Sequence, residues 1–465
     1  MSHTPPIVHP YIPNSEPAVK AAMLAAIGAQ SVEDFYADIP DALRLKRPLD
    51  LPAPLLSEAA LVRHVEGLLN RNTSTREVLS FLGAGCYQHH VPAVCDEVNS
   101  RSEFLTAYAG EPYEDHGRFQ ALFEYESLMG ELLEMDVVNV PNYDGFQAAA
   151  TALRMAARVT GRGRVLIAAS TNPDKLSKIA DYLLPDVAWD LIPFAPASGQ
   201  LDLAALRAAL SDQIAAVYFE NPNFLGVLES QAAEITALAH AAGALAVVGV
   251  EPLSLGVVTP PARYGADIVC GDIQSLGIHM HAGGGHGGFI ASHDDLKIVQ
   301  EYPSRLFGIA PTTVPGEYGF GDVAYERTSF AHREEGKEWV GTAAALWGIT
   351  AGVYLALMGP QGMAEIAGGI MQRARYLMRR LAEIPGVRVP FAAAPHFQEF
   401  VVSWDGARRT AAQVNDALRA RGIFGGYDLS RAFPALGQSL LVCVSEVHSQ
   451  ADLDTYVTSL REVLA

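Results

Sequence analysis

Residues 264–292, YGADIVCGDIQSLGIHMHAGGGHGGFIAS, decide how the rest of the chain is interpreted. The apolar segment 267–270 has the composition of a short buried strand, and 289–292 has that of a second strand. Between them lie a polar turn, which contains Gln274 and Ser275, and a glycine cluster at 283–288. Because glycine adopts backbone angles that other residues avoid, the cluster predicts a tight loop between the two strands.

Apolar strands alternate with helices from residue 164 onward, and this alternation predicts a mostly parallel sheet covered by helices. Strands are expected at 164–169, 215–219, 244–250, 267–270 and 288–291. Ligands of such sheets bind beyond the carboxyl ends of the strands. The polar residues at those ends are Glu220, Asn221, Glu251, Asp272 and Gln274. The predicted fold class is therefore α/β, with ligand-binding residues at one edge of the sheet.

The length of 465 residues predicts more than one domain. Residues 1–60, which are proline-rich at their start, are expected to form an extended arm with short helices. Residues 61–365 are expected to form the large α/β domain. Residues 366–465 are expected to form a smaller C-terminal α+β domain, whose last helix has one apolar stripe that indicates core packing.

Composition excludes several classes of function. A formal net charge of −19 argues against nucleic acid as a partner, because phosphate binding needs clustered Lys and Arg. The four cysteines are scattered, so neither a zinc site nor a disulfide framework is indicated. With no signal peptide and no apolar run of about 20 residues, we expect a cytoplasmic protein with no membrane partner.

Two polar stretches hold candidate site residues. The segment 79–92 places Tyr87, His89 and His90 after Gly83 and Gly85, which predicts a tight turn. The rings could point into a site, but an ordinary turn with surface histidines is the commoner outcome of this pattern. A second loop, 106–119, contains the candidates Tyr108, Glu114 and His116.

Other motifs carry less information. The turn 139–145 before a helix is compatible with a phosphate cup, in which the amides of a helix N-terminus hold a phosphate. His279, His281 and His286 have no identified carboxylate beside them, so no metal site is expected. The dinucleotide, P-loop and nucleophile-elbow motifs are all missing from the sequence, which disfavours hydride-transfer, NTPase and serine-hydrolase functions.

The stretch 264–292 resembles the lysine-bearing segment of fold-type I enzymes, which use pyridoxal phosphate (PLP). In those enzymes a lysine forms an imine with the cofactor, and a carboxylate at a strand end holds the pyridinium nitrogen. Here Glu251 stands at the carboxylate position, and Gln274 and Ser275 stand where a His-Lys pair is expected. Neither can form an imine. Lys337 could fold back and make the chain an independent cofactor enzyme, but a surface lysine is the expected outcome.

The whole chain resembles subunit 1 of the two-subunit glycine dehydrogenase (decarboxylating), the P-protein of the glycine cleavage system. The resemblance rests on motifs along nearly the full length: Tyr11-Ile-Pro13, Phe35-Tyr-Ala-Asp-Ile-Pro40, Ser80-Phe-Leu-Gly-Ala-Gly-Cys-Tyr87, Arg101-Ser-Glu-Phe104, Gln120-Ala-Leu-Phe-Glu124, Tyr143-Asp-Gly145, Gly265-Ala-Asp-Ile-Val269, Gln274-Ser-Leu-Gly277, Glu399-Phe-Val-Val402 and Gly425-Gly-Tyr427.

The resemblance implies a PLP-enzyme fold without the lysine and a partner, subunit 2, that carries lysine and cofactor. The pair, as a heterodimer or α2β2 assembly, decarboxylates glycine and passes the aminomethyl group to the lipoyl arm of H-protein. The site lies near the subunit interface. The candidate contributions of this chain are Tyr87, His89, Tyr108, Glu114, His116 and Arg333. Glu251, Gln274 and Ser275 are then degenerate cofactor positions.

Three loops, 108–117, 279–288 and 332–342, depart from the family pattern. These departures keep two alternatives open. One is a divergent paralogue whose heteromeric PLP complex acts on another amino acid or amine. The other is a purely structural subunit that only stabilises its partner.

Overall fold

The computed structural model describes residues 8–9, 11–47, 49–105, 116–323, 327–341, 344–405 and 409–465. The chain divides into two compact units, Met1–Asn72 and Thr73–Ala465. The described helices are α1 (Pro17–Ala26), α2 (Glu58–Leu69), α3 (Ala93–Ser100), α4 (His116–Leu133), α5 (Gly145–Thr160), α6 (Pro173–Leu183), α7 (Leu203–Ala209), α8 (Ala232–Ala241), α9 (Leu296–Val299), α10 (Ala345–Ala382), α11 (Ala411–Arg419) and α12 (Gln450–Leu464).

The first unit contains α1 and α2, and none of its described residues is buried. Short helices were expected within residues 1–60, and α1 and α2 are helices there. The sequence of α1 explains the helix, because it is rich in alanine and begins with Pro17, a residue favoured in a first helical turn. The Glu16 side chain accepts a hydrogen bond from the Val19 amide (2.8 Å) and caps the helix.

The second unit is built on a mixed sheet. The described strands are β1 (Leu79–Ser80), β2 (Val137–Val138), β3 (Arg164–Ala168), β4 (Ala188–Ile192), β5 (Ile214–Glu220), β6 (Leu245–Val250), β7 (Ile268–Asp272), β8 (Gly288–Ser292), β9 (Phe307–Pro311), β10 (Tyr318–Asp322), β11 (Val387–Arg388), β12 (Glu399–Trp404), β13 (Ile423–Phe424), β14 (Tyr427–Asp428) and β15 (Gln438–Cys443).

Within the described residues, seven strands form the main sheet in the order β2-β8-β7-β6-β5-β3-β4. The pairs from β7 to β4 are parallel, whereas β8 runs antiparallel to both of its neighbours. The predicted mostly parallel sheet is therefore confirmed. Strand β4 was not predicted, because it lies at the sheet edge and most of its residues are exposed.

Helix α5 packs across the centre of this sheet. Its buried face is made largely of alanines, including Ala148, Ala149, Ala152 and Ala156, which let the helix backbone approach β5–β8 closely. The buried Cys270 of β7 belongs to the same core cluster, as its apolar context predicted. This packing fixes the N-terminus of α5 at the carboxyl edge of the sheet.

Beyond β8, strands β9 and β10 form an antiparallel hairpin. Helix α10 is interrupted at Gly359 (φ 58°), just before Pro360, which cannot donate a backbone hydrogen bond. A smaller antiparallel sheet, β11-β12-β15-β14, then follows. The apolar stripe of α12 is buried, which confirms its packing role.

The proposed limits at residues 60 and 365 remain predictions, since the unit that begins at Thr73 contains both sheets. No helix in the described part of the chain combines the length and the apolar run that crossing a bilayer needs.

Candidate functional site

A cavity of about 80 Å³ lies at the carboxyl ends of β5, β6 and β7. This is the edge at which the sequence placed ligand-binding residues. The wall includes the strand-end residues Glu220, Glu251 and Asp272, together with Gln274 and Ser275. It also includes residues from four other segments: Gly85, Tyr87, Gly145, Phe146, Asn172, Lys175 and Glu399.

Ser275 and Glu251 contact each other across the cavity wall. The Ser275 hydroxyl donates a hydrogen bond to Oε1 of Glu251. The other oxygen, Oε2, accepts from the Ser254 amide (2.9 Å). Burial raises the pKa of Glu251 above its ordinary value. The position expected for an imine-forming lysine thus carries a hydroxyl that is already bonded to the carboxylate.

The N-terminus of α5 holds two carboxylates of this chain. Asp144 accepts from the Gln147 amide (2.8 Å), and Asp272 accepts from the Gly145 amide (3.0 Å). Burial raises the pKa of Asp272. The anticipated phosphate cup is present as a backbone shape, but Asp272 takes the amide of Gly145. The residues at this helix and at Ser275 therefore do not fit PLP bound as an imine at residue 275.

The turn that carries Tyr87 is held by Gln274. The Tyr87 amide donates to Gln274 Oε1 (2.9 Å), and Gln274 Nε2 donates back to the Tyr87 carbonyl (2.9 Å). This reciprocal pair fixes the turn against the main sheet, and Gln274 Nε2 also donates to the Ile278 carbonyl (3.0 Å). Gln274 is thus a structural support rather than a free polar group.

Glu399 holds the same turn from the smaller sheet. It accepts from the Ala84 amide (2.7 Å) and from the Tyr87 hydroxyl (3.2 Å). Burial raises the pKa of Glu399 to about 7 and raises that of Tyr87 well above its ordinary value. A Cβ on Gly83 would lie 2.3 Å from Glu399 Oε1, so the close approach requires glycine there.

His89 is an interior residue. Its side chain is only 3% exposed, and its Nδ1 is 2.8 Å from Glu446 Oε2. Its Nε2 is buried with no hydrogen-bond partner in the described part of the chain. Although burial lowers the pKa of His89, the bond to Glu446 outweighs it and raises the pKa. The surface-histidine interpretation is therefore wrong for His89 and holds for His90, which is exposed.

Lys175 brings an amine into the cavity that the sequence did not point out. It lies in the first turn of α6, and its Nζ is 2.5 Å from Glu220 Oε1. Tyr218 donates to the same oxygen (2.9 Å). Although burial lowers the pKa of Lys175, the carboxylate of Glu220 outweighs it and raises the pKa. The amine is held as an ammonium ion, which is not nucleophilic.

Four predicted site residues lie, entirely or with their side chains, outside what the structure describes. Tyr108 and Glu114 lie outside the described residues. His116 begins α4, and Arg333 lies in a short helix at Ser329–Glu335, but neither side chain is among those described. The roles proposed for these four residues remain predictions.

Lys337 is exposed and lines a different pocket, with Arg154, Arg158 and Arg162, near the C-terminus of α5. That end of the helix is roughly 20 Å from Gly145, at 1.5 Å per residue. Lys337 does not fold back to the cavity, so the surface-lysine expectation is confirmed.

The histidines of the glycine-rich loop have separate partners. His279 bonds to Asp96 (2.9 Å), and His286 bonds to the Met280 carbonyl (2.6 Å). His281 stacks on Trp347 with ring centroids 4.9 Å apart. Among the described residues no group of three or more His, Cys, Asp or Glu is placed to hold a metal ion.

Known proteins resemble the chain over almost its whole length. Residues 9–460 match the family model described as glycine cleavage system P-protein. The probable glycine dehydrogenase (decarboxylating) subunit 1 of Moorella thermoacetica is 37% identical over 458 residues, covering 98% of this chain and 100% of that protein. The corresponding protein of Chlorobium chlorochromatii is 38% identical, with the same coverage of each chain.

Solved structures show the same similarity. The inhibitor-bound crystal structure of glycine decarboxylase (P-protein) matches with a TM-score of 0.85 and 34% identity, covering 98% of this chain and 100% of that chain. A sphingosine-1-phosphate lyase of Burkholderia pseudomallei, at 15% identity, has a TM-score of 0.64 over 92% of this chain and 94% of its own, which shows a shared fold. The fold is thus that of fold-type I PLP enzymes, as expected. The chain belongs to the glycine cleavage system P-protein family.

Proposed function

We propose that this chain is subunit 1 of a glycine dehydrogenase (decarboxylating) and works with a second subunit that carries the PLP lysine. The complex decarboxylates glycine and passes the aminomethyl group to lipoyl H-protein, in the cytoplasm and without nucleic-acid or membrane partners. The observation that carries the proposal is the bond between Ser275 and Glu251, in a chain that matches P-protein subunits end to end.

The cofactor belongs to the partner in this proposal, and none is bound covalently to this chain. Three features support it: a hydroxyl at residue 275, a carboxylate on the Gly145 amide, and a Lys175 amine committed to Glu220. PLP supplies the electron sink for decarboxylation when it is bound on the partner. The contribution of this chain is to shape the shared site through the loops that carry the candidate residues.

Tyr87 and His89 contribute indirectly. The Tyr87 hydroxyl is bonded to Glu399, and the His89 ring is buried and bonded to Glu446, so both side chains act first in fixing the turn. This burial favours one alternative, a subunit that only stabilises its partner. Tyr108, Glu114, His116 and Arg333 remain the candidates for direct contact in the shared site.

Reconstitution tests the proposal. The chain is co-expressed with the lysine-bearing subunit of its own organism, and the purified complex is reduced with borohydride in the presence of PLP. We expect peptide mapping to find the reduced cofactor on the partner alone, and glycine–bicarbonate exchange to require both chains. A reduced cofactor on Lys175 or Lys337 of this chain would refute it.

Variants of this chain in the same complex distinguish a catalytic role from a purely stabilising one. Arg333→Ala and His116→Ala should lower exchange without changing co-purification if these residues line the shared site. If glycine–bicarbonate exchange is unchanged in every such variant, this chain only stabilises its partner. Activity with another amino acid but not with glycine would instead support the divergent paralogue.

A further inference from the structure

Carboxyl groups outnumber cationic groups in the wall of this cavity. Its wall contains four carboxylates, Glu220, Glu251, Asp272 and Glu399, and one ammonium, Lys175. Lys175 pairs with Glu220, whereas the hydrogen bonds of the other three come from hydroxyl and backbone amide donors. None of these donors is a cation, although the charge of His89 acts on Glu251 and that of His286 acts on Asp272.

One carboxylate oxygen is left without a donor. Glu220 is only 7% exposed, and its Oε1 accepts from both Lys175 and Tyr218. No described residue donates a hydrogen bond to its Oε2, although the side chain lines the cavity. This oxygen is not fully enclosed by protein atoms, so a donor inside the cavity can reach it.

The volume and the lining side chains of the cavity limit which molecule can donate a hydrogen bond to Glu220 Oε2. The volume of about 80 Å³ is several times the roughly 10–15 Å³ that one water needs, so a molecule of a few heavy atoms fits. The rings of Tyr87, Phe146 and Phe224 supply apolar faces for an alkyl group or a cation. A metal ion would need converging ligands, and none of the described residues form such a group.

We propose that this cavity binds a small primary ammonium ion of about the size of methylammonium. The ammonium group donates to Glu220 Oε2 and compensates the charge of the surrounding carboxylates, and the alkyl group packs on the aromatic rings. An anion of the same size would meet four carboxylates and is disfavoured. The inference needs no partner subunit and stands apart from the proposed function.

Binding of the ammonium ion is coupled to the release of protons from the cavity. Burial raises the pKa values of Glu251, Asp272 and Glu399, the last to about 7, so the Glu399 carboxyl still holds a proton in part of the molecules near neutral pH. A bound cation favours the charged carboxylates and displaces those protons. Affinity therefore rises from pH 6 to pH 8, and binding at pH 7 releases protons.

Calorimetry on the full-length chain tests the proposal. Methylammonium chloride is titrated at constant ionic strength, with sodium chloride and tetramethylammonium chloride as comparisons. We expect saturable binding of methylammonium alone, because tetramethylammonium has no N–H donor, and an affinity at least tenfold lower in Glu220→Gln. Asp212→Asn, an exposed carboxylate away from the cavity, should bind as the unmodified chain does.

Glu399→Gln gives a second variant that keeps an acceptor for Ala84, in case Glu220→Gln fails to fold. It should bind methylammonium more weakly and release fewer protons, measured in two buffers of different ionisation enthalpy at pH 7. Heats equal to those of sodium chloride, or equal affinities in the unmodified chain and in whichever of these variants folds, would overturn the proposal.

Discussion

The Ser275 hydroxyl donates a hydrogen bond to Oε1 of Glu251, so two positions that hold opposite ends of a cofactor in related enzymes bind each other here. Ser275 is buried, with 2% of its surface exposed, and Glu251 is half-buried, with the pKa of its carboxyl raised by desolvation. The contact ties the two side chains to each other on the wall of the cavity.

Restoring the lysine alone should not restore cofactor attachment. In Ser275→Lys, Asp272 still occupies the amide of Gly145, where a phosphate would bind. We expect no borohydride-fixed PLP on residue 275, as measured by intact mass and peptide mapping. The double variant Ser275→Lys/Asp272→Ser removes that carboxylate and should show more attachment than the single variant. Full attachment in the single variant would contradict this account.

The pair Lys175–Glu220 should be energetically coupled. Its side chains are 15% and 9% exposed, so Lys175→Met leaves a buried carboxylate without its cation and should cost about 3 kcal/mol of unfolding free energy. Lys175→Met/Glu220→Gln should recover most of that loss in urea denaturation. The exposed pair Arg207–Glu234 is the control, where Arg207→Ala should cost less than about 1 kcal/mol. Equal losses of unfolding free energy for the two pairs would show that burial does not strengthen the coupling.

Stability should depend on pH through Glu399. Burial raises its pKa from 4.5 to about 7, so between these values the folded chain binds more protons than the unfolded chain. Stability contributed by this group is therefore present at low pH and lost as pH rises through that window, by roughly 3 kcal/mol. Glu399→Gln cannot lose a proton, and its stability relative to the unmodified chain should increase from pH 5 to pH 8. Parallel pH curves of melting temperature would show that the carboxyl does not titrate as described.

Glycine should be required at 83 but not at 284. A Cβ at Gly83 would lie 2.3 Å from Glu399 Oε1 and 2.7 Å from Cys443 Cβ, whereas a Cβ at Gly284 meets nothing within 4 Å. Gly284 also has φ −151°, which any residue adopts. Gly83→Ala should lower stability by about 1–3 kcal/mol, and Gly284→Ala should leave the melting temperature unchanged. A similar melting temperature for the two variants would show that the turn relaxes freely.

His89 should titrate above an ordinary histidine because of Glu446. In Glu446→Gln the charge is removed and burial then dominates, so the pKa of His89 should fall below its usual value. The stabilisation from the pair is present at low pH and is lost as pH rises through the raised pKa. Histidine carbon-labelled NMR across pH 5–9 measures both forms. No change in the His89 titration would exclude the pair as the cause.

The sequence identified the residues at the strand ends of the site. Strand ends and departures from a family motif can be recognised from the neighbouring residues alone. Glu251, Gln274 and Ser275 were found this way, and all three line the cavity. Lys175 was missed although it follows the strand ending at Ala168, since nothing in a helical pattern tells a buried lysine from a surface one. Glu399 reaches Tyr87 across 312 residues of sequence, a contact that only the packing of the two sheets creates.

The double attachment of the turn at 83–90 has a consequence for motion. Gln274 holds it to the large sheet, while Glu399 and Glu446 hold it to the segment that carries the small sheet. Rotation of one sheet against the other would have to break these bonds together, so the turn resists such a movement. Amide hydrogen exchange at Ala84, Tyr87 and His90 should therefore be as slow as in the core strands.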